Sequence, residues 1–75
     1  MSERKIKLNQ FTEVQEFVNA AEQCDFDIDV SYNRVVIDAK SMLGVMSLDL
    51  TKELTVQYGG DNRSFENILS KYASA

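Results

Sequence analysis

The sequence contains no histidine. That absence removes the commonest general base, the commonest metal ligand and the usual phosphoryl-accepting imidazole together. Cysteine is nearly absent as well. Cys24 stands alone, so neither an intramolecular disulfide nor a cysteine cluster for zinc can form. It lies at the end of a predicted helix near the apolar face, where a buried free thiol is favoured over a reactive one. No apolar stretch approaches the roughly 20 residues of a membrane span. The opening MSERKIKLNQ is basic and then polar, with no apolar block of signal-peptide length behind it. A cytoplasmic protein without membrane association is expected. Positive charge is also in deficit: 8 Lys and Arg against 12 Asp and Glu give a net charge of −4. That balance argues against nucleic-acid binding through phosphate contacts.

What is present is ordinary globular composition, 44% apolar and 27% charged over 75 residues. Residues 1–75 are enough for a single small domain. KIKL alternates, with Ile6 and Leu8 on one side, as in a half-buried strand. From Phe11 the period becomes helical: Phe11, Val14, Phe17, Val18 and Ala21 share a face, and Asn9 is a reasonable cap. DIDVSY and RVVIDA alternate again, Ile28, Val30 and Tyr32 in the first and Val35, Ile37 and Ala39 in the second pointing inward. Asn33 between them tolerates left-handed geometry, so the pair reads as a hairpin. ELTVQY repeats the pattern, and Phe65, Ile68, Leu69 and Tyr72 follow at helical spacing behind a cap from Asp61, Asn62 or Ser64. Strands with one apolar and one polar face belong to an antiparallel sheet covered on one side. The predicted fold is an α+β open-faced sandwich in the order β-α-β-β-α-β-α, with four antiparallel strands and the helices on one face.

The densest apolar run is AKSMLGVMSL, residues 39–48. With Ser41 as cap, Met42, Leu43, Val45, Met46 and Leu48 fall within about two helical turns, too many for one stripe to bury. Val45 and Leu48 lie together, and Leu43 and Met46 form a neighbouring stripe. The run could simply cover the end of the sheet, or it could offer an adaptable methionine-bearing docking patch. Gly44 costs roughly 1 kcal/mol against alanine in a helix, which suggests a close backbone approach within the fold or to a partner. Ser41 is first of all an N-cap. At that position it is also suited to phosphorylation, since a helix N-terminus stabilises added negative charge.

This segment, Lys40 to Leu48, resembles the regulatory serine site of HPr, the phosphocarrier protein of the bacterial sugar phosphotransferase system. The preceding SYNRVVIDA resembles the HPr hairpin, and the deduced element order matches the HPr fold, with a connection before ELTVQY about two residues short. The resemblance implies phosphorylation of Ser41 by an ATP-dependent HPr kinase. It also implies a surface around Met42, Leu43 and Met46, with Gln10, Thr12 and Gln15, that docks an enzyme or a transcriptional regulator. Counting back from Ser41 without a gap, the histidine that accepts phosphate falls at Gln10. The alanine, arginine and proline that follow it in the family become Phe11, Thr12 and Glu13. Gln10 has no basic nitrogen to hold a phosphoryl group, and Glu13 puts negative charge where the phosphate would arrive. The chain is similar in this respect to the Crh paralogue, which also has glutamine for histidine and keeps the serine. Crh pairs two copies by strand exchange, and here the apolar patch or an edge strand could form a homodimer.

Catalysis is not expected. Asp25, Asp27 and Asp29 read as a solvated acidic face without a ligand-rich loop, and YGGDN is too short for a phosphate loop. No metal and no cofactor are expected.

Overall fold

The computed structural model describes residues 1–74. The elements are β1 (Ser2–Ile6), α1 (Phe11–Glu22), β2 (Ile28–Tyr32), β3 (Val35–Asp38), α2 (Met42–Met46), β4 (Leu54–Tyr58) and α3 (Arg63–Lys71). The strands form one four-stranded sheet in the order β1-β4-β2-β3, every pairing antiparallel. This is the α+β open-faced sandwich that the alternation predicts. Leu54, Val56 and Tyr58 of the central β4 are all buried, as are Ile28 and Val30 beside them. The intervening residues Thr55 and Gln57 point to the open face, where Gln57 donates to Glu3 at 3.0 Å.

Each helix lies on the sheet by its own apolar stripe. In α1 these residues are Val14, Phe17, Val18 and Ala21; in α3 they are Phe65 and Leu69. The α3 cap is Asn62, whose side chain accepts from the Phe65 amide at 3.0 Å. At α1 the cap position belongs to Gln10, and no side chain caps from there. Instead Glu13 of the first turn reaches back and accepts from the amide of Asn9, the residue before the cap position, at 2.8 Å, so Asn9 is held by the helix rather than capping it. Phe11, placed on the apolar face by its period, is 54% exposed, because as the first helical residue it projects beyond the covered part of the sheet. Val35 is likewise exposed: its parity is inward, but β3 is the outermost strand and its end overhangs the helices. Leu8 is buried as expected, two residues past the end of the strand proper. Asn33 turns the hairpin at φ 60°.

An aromatic chain ties the layers together. Phe26 stacks on Tyr58 at 6.2 Å, Tyr58 meets Phe65 edge-on at 5.4 Å, and Phe65 tilts against Phe17 at 6.0 Å. Tyr58 also carries a polar link. Its hydroxyl donates to Glu66, whose other carboxylate oxygen accepts from Arg4 at 3.0 Å. The helix over this corner is therefore pinned to two strands by one carboxylate. Burial, and then the Glu66 carboxylate, push the Tyr58 hydroxyl up to about 12. Cys24 is buried, and desolvation raises its thiol pKa. Among the described residues no helix is long and apolar enough to cross a membrane.

The Tyr58 shift carries a definite pH signature. Its folded pKa lies above the ordinary value of 10.0, so this contribution is complete below about pH 10 and is lost as pH climbs towards 12. Tyr58→Phe should cost on the order of 1 kcal/mol at neutral pH and flatten the alkaline fall. Urea unfolding at a series of pH values from neutral to strongly alkaline measures both effects, and an unchanged alkaline slope in the variant would contradict the assignment.

Candidate docking and regulatory site

The chain leaves β3 at Asp38 and turns at once into α2. Asp38 is the pivot of that turn. Its carboxylate accepts from the Lys40 amide at 2.9 Å and its carbonyl from the Ser41 amide at 2.9 Å. Lys40 is drawn back towards the end of α1, where its ammonium donates to the Cys24 carbonyl at 3.0 Å. Ser41 is left exposed with extended backbone, and its hydroxyl oxygen accepts from the Gly44 amide at 3.1 Å. At the other end Ser47 donates its hydroxyl to the Gly44 carbonyl at 2.6 Å. A five-residue helix is thus closed at both ends by serine side chains.

The apolar residues of α2 divide between core and solvent. Val45 is fully buried, Leu48 nearly so, and Met42 is half-buried against the core. Leu43 is 84% and Met46 43% exposed. The division follows the two stripes expected from the roughly 100° helical step. The helix is seated through Gly44: a Cβ there would lie 2.5 Å from the Ile37 Cγ2 of β3 and 3.0 Å from the Ser41 hydroxyl. The close approach that this glycine suggests is therefore made inside the fold.

Helix α1 packs beside α2, so the two predicted groups of site residues stand on neighbouring elements. Gln10 and Gln15 are exposed, and Phe11 adds a large apolar surface that its sequence period had placed inside. Thr12 is also exposed, but it lines a separate open cleft of about 650 Å³ between α1 and α3, with Glu13, Glu16, Asn19, Lys71 and Tyr72. In that cleft Glu16 accepts from the Tyr72 hydroxyl and from the Lys71 ammonium, the latter at 3.1 Å. The Tyr72 hydrogen bond first, and then Lys71, hold the Glu16 carboxyl below its usual range, while the same carboxylate raises both partners. Neither this cluster nor the Arg4–Glu66–Tyr58 one announces itself in the sequence. Their members lie more than 50 residues apart except within α3 and its approach, and no short-range spacing marks them. Among the described residues, no three acidic or cysteine side chains come together as a metal site.

Residues 12–70 match the family model described as the PTS HPr component phosphorylation site. The chain belongs to the HPr family. The matched residues include Ser41 and all of α2 and begin just beyond Gln10. Among solved structures, HPr-C-His from Thermoanaerobacter tengcongensis is similar at a TM-score of 0.77 and 20% identity, with 95% of this chain and 93% of that one covered. The phosphocarrier protein HPr from Bacillus anthracis follows at a TM-score of 0.72 and 18% identity, with 95% of each chain covered. The histidine-containing phosphocarrier protein from Mycoplasma covers 99% of this chain and 100% of its own at a TM-score of 0.73 and 12% identity. At such identities the likeness shows a shared HPr fold. A comparison with curated proteins gives no match. HPr proteins are phosphocarriers of the sugar phosphotransferase system rather than catalysts, and they work through protein partners.

The seating of α2 is open to a double-mutant test. Gly44→Ala gains about 1 kcal/mol of helix propensity but collides with a β-branched side chain that cannot swing away, which costs about 1–3 kcal/mol. A net loss of about 1 kcal/mol is expected in the native background. With Ile37→Ala already in place the same change should become neutral or stabilising, as read by urea unfolding of the four proteins.

Proposed function

We propose that the chain is a regulatory member of the HPr family that docks protein partners through α2 and does not relay phosphate through a histidine. The observation that carries this reading is the exposure of Leu43 and Met46 on a helix whose other stripe, Val45 and Leu48, is buried. Apolar side chains displayed beside the core, one of them a methionine, suit a surface that adapts to more than one partner. Met42 extends the patch from below, and Gln10 and Gln15 flank it from α1, while Thr12 would meet a partner only if the contact reached round to the α3 side of that helix. The position that counts back to the phosphohistidine holds Gln10, whose amide is not a nucleophile for phosphoenolpyruvate-derived phosphate, and no histidine exists elsewhere to take its place. Ser41 is the regulatory position. Its exposed hydroxyl would accept the γ-phosphoryl group of ATP from an HPr kinase, releasing ADP and a proton. The added charge would stand at the edge of the apolar patch and shift the choice between an enzyme and a transcriptional regulator. Cytoplasmic location accords with such partners.

A second reading has an observation of its own. The Ser41 hydroxyl already serves as the α2 cap at 3.1 Å from the Gly44 amide, and capping alone accounts for a serine there. In that case the chain is an interaction module that keeps the HPr fold and is never phosphorylated.

Intact-mass analysis after incubation with an HPr serine kinase and ATP separates the two. A single added phosphate that disappears in Ser41→Ala supports the regulatory reading. No phosphate, under conditions that modify an authentic HPr, leaves the interaction module. Incubation with Enzyme I and phosphoenolpyruvate should give no adduct at all, and an adduct would overturn the claim that the relay is lost.

A further inference from the structure

The two edges of the sheet are treated differently. On β1 the C-terminal segment closes part of the edge: Ile6 bridges Ala73, the Ser74 amide donates to the Lys5 carbonyl at 3.1 Å, and the Lys7 amide donates to the Tyr72 carbonyl at 3.0 Å. What remains of that edge carries Glu3 and Arg4. β3 has one sheet neighbour, β2, and its closure among the described residues is confined to the last residue, where the Asp38 carbonyl accepts from the Ser41 amide at 2.9 Å. Its sequence is also apolar for an edge, with Val35 50% and Val36 63% exposed. Natural proteins usually guard such strands with charge or cover.

The polar groups on this edge have a fixed pattern. The Ala39 amide donates to the Ile28 carbonyl of β2 at 2.9 Å. By the alternation of an antiparallel ladder, Val35 and Ile37 also face β2, and the amide and carbonyl of Val36 and the amide of Asp38 face away from it. The Asp38 carbonyl already accepts from the Ser41 amide, and Arg34 stands in the turn just before the strand. An antiparallel neighbour must set outward-facing residues opposite outward-facing residues. Of the registers this allows between two copies of the same strand, one places Val36 opposite Val36, Arg34 opposite Asp38, and Val35 opposite Ile37. Shifted one way, Val36 faces Asp38 and Arg34 has no partner. Shifted the other way, Val36 faces Arg34 and Asp38 has none. A longer slip sets Asp38 against Asp38.

We propose that this edge is a self-association surface, in which β3 pairs antiparallel with β3 of a second copy about a twofold axis through Val36. The segment Arg34–Val35–Val36–Ile37–Asp38 is complementary to itself reversed, in charge as well as in polarity. The charge match has a further reason within one chain. Asp38 lies directly opposite Asp29 on the open face, and like charges so placed repel. Arg34 is exposed and forms no ion pair among the described residues. In the paired state the second copy's Arg34 meets Asp38 beside that repulsion and offsets it. Twofold symmetry repeats each contact and closes the assembly at two chains, so no filament follows. The proposal rests on β3 alone and stands whether or not Ser41 is phosphorylated.

A contact of this length buries far less than the roughly 1,200 Å² of a stable interface, so association should be weak, with a Kd of about 0.1–1 mM. Sedimentation equilibrium from dilute to about millimolar protein should show a monomer–dimer equilibrium in that range. Amide exchange over the same range should slow at Val36 and Asp38 and not at Val35 or Ile37. Val36→Lys, at an exposed position with room on the open face, should weaken association at least tenfold with the circular dichroism unchanged. Arg34→Asp should do the same. Mixing it with Asp38→Arg should then restore association as a heterodimer, because each chain supplies the charge that the other lacks. A protein monomeric throughout, protection on β1 or α2 instead, association indifferent to Val36→Lys, or failure of the folded charge-swapped chains to pair would each overturn the proposal.

Discussion

The Tyr58 side chain does two jobs that depend on each other. Its ring fills the centre of the core between Phe26 and Phe65, and its hydroxyl donates to Glu66. A buried phenol needs a partner for its proton, and an acidic residue on the helix above supplies it without being itself drawn out of water, because Arg4 holds the same carboxylate from the sheet edge. This fixes the position of α3 on β4 and β1. From α3 the constraint passes on: Lys71 and Tyr72 reach Glu16 of α1, and α1 in turn flanks α2. The exposed stripe of α2 is thus located at the end of a series of contacts that begins at Tyr58.

The short helix shows how small changes in side-chain direction separate structure from exposure. Residues 42–46 make little more than a turn, too short to be stable by propensity alone. Two serines close the ends, and one missing Cβ lets the backbone settle against Ile37. Once seated, the helical step decides everything else: Val45 goes down and Leu43 and Met46 stay up. A longer helix could bury its whole stripe. This one has no room to do so.

Much of the fold was legible from period alone, and for a physical reason. A sheet covered on one face forces strict alternation in each strand, and helices lying on it show a single stripe, so Leu54, Val56 and Tyr58 or Val14, Phe17 and Val18 identify themselves. Ser41 and Asn62 were legible as caps because a cap bonds within three residues. What period cannot show is where an element overhangs its neighbours. Phe11 and Val35 have the parity of core residues and are exposed because nothing lies beyond them. Nor can it show pairs such as Arg4 with Glu66 or Glu16 with Tyr72, 62 and 56 positions apart. The candidate site was readable to the same extent. The α2 stripes follow from local geometry, whereas the place of Thr12 on the α3 side of α1 depends on a helix that the chain makes last.

The strand order has a consequence for how the protein is made. Only β2 and β3 are paired through a tight turn. Both other pairings involve β4, which joins the first strand of the chain to the middle of the sheet. During synthesis β1 therefore has no strand to pair with until Leu54–Tyr58 has left the ribosome, at roughly 5–20 residues per second. Through most of translation the nascent chain is a hairpin and a helix with an unattached leading strand, and closure of the sheet is a single late event. Slowing elongation at any point before β4 has emerged would prolong that open state.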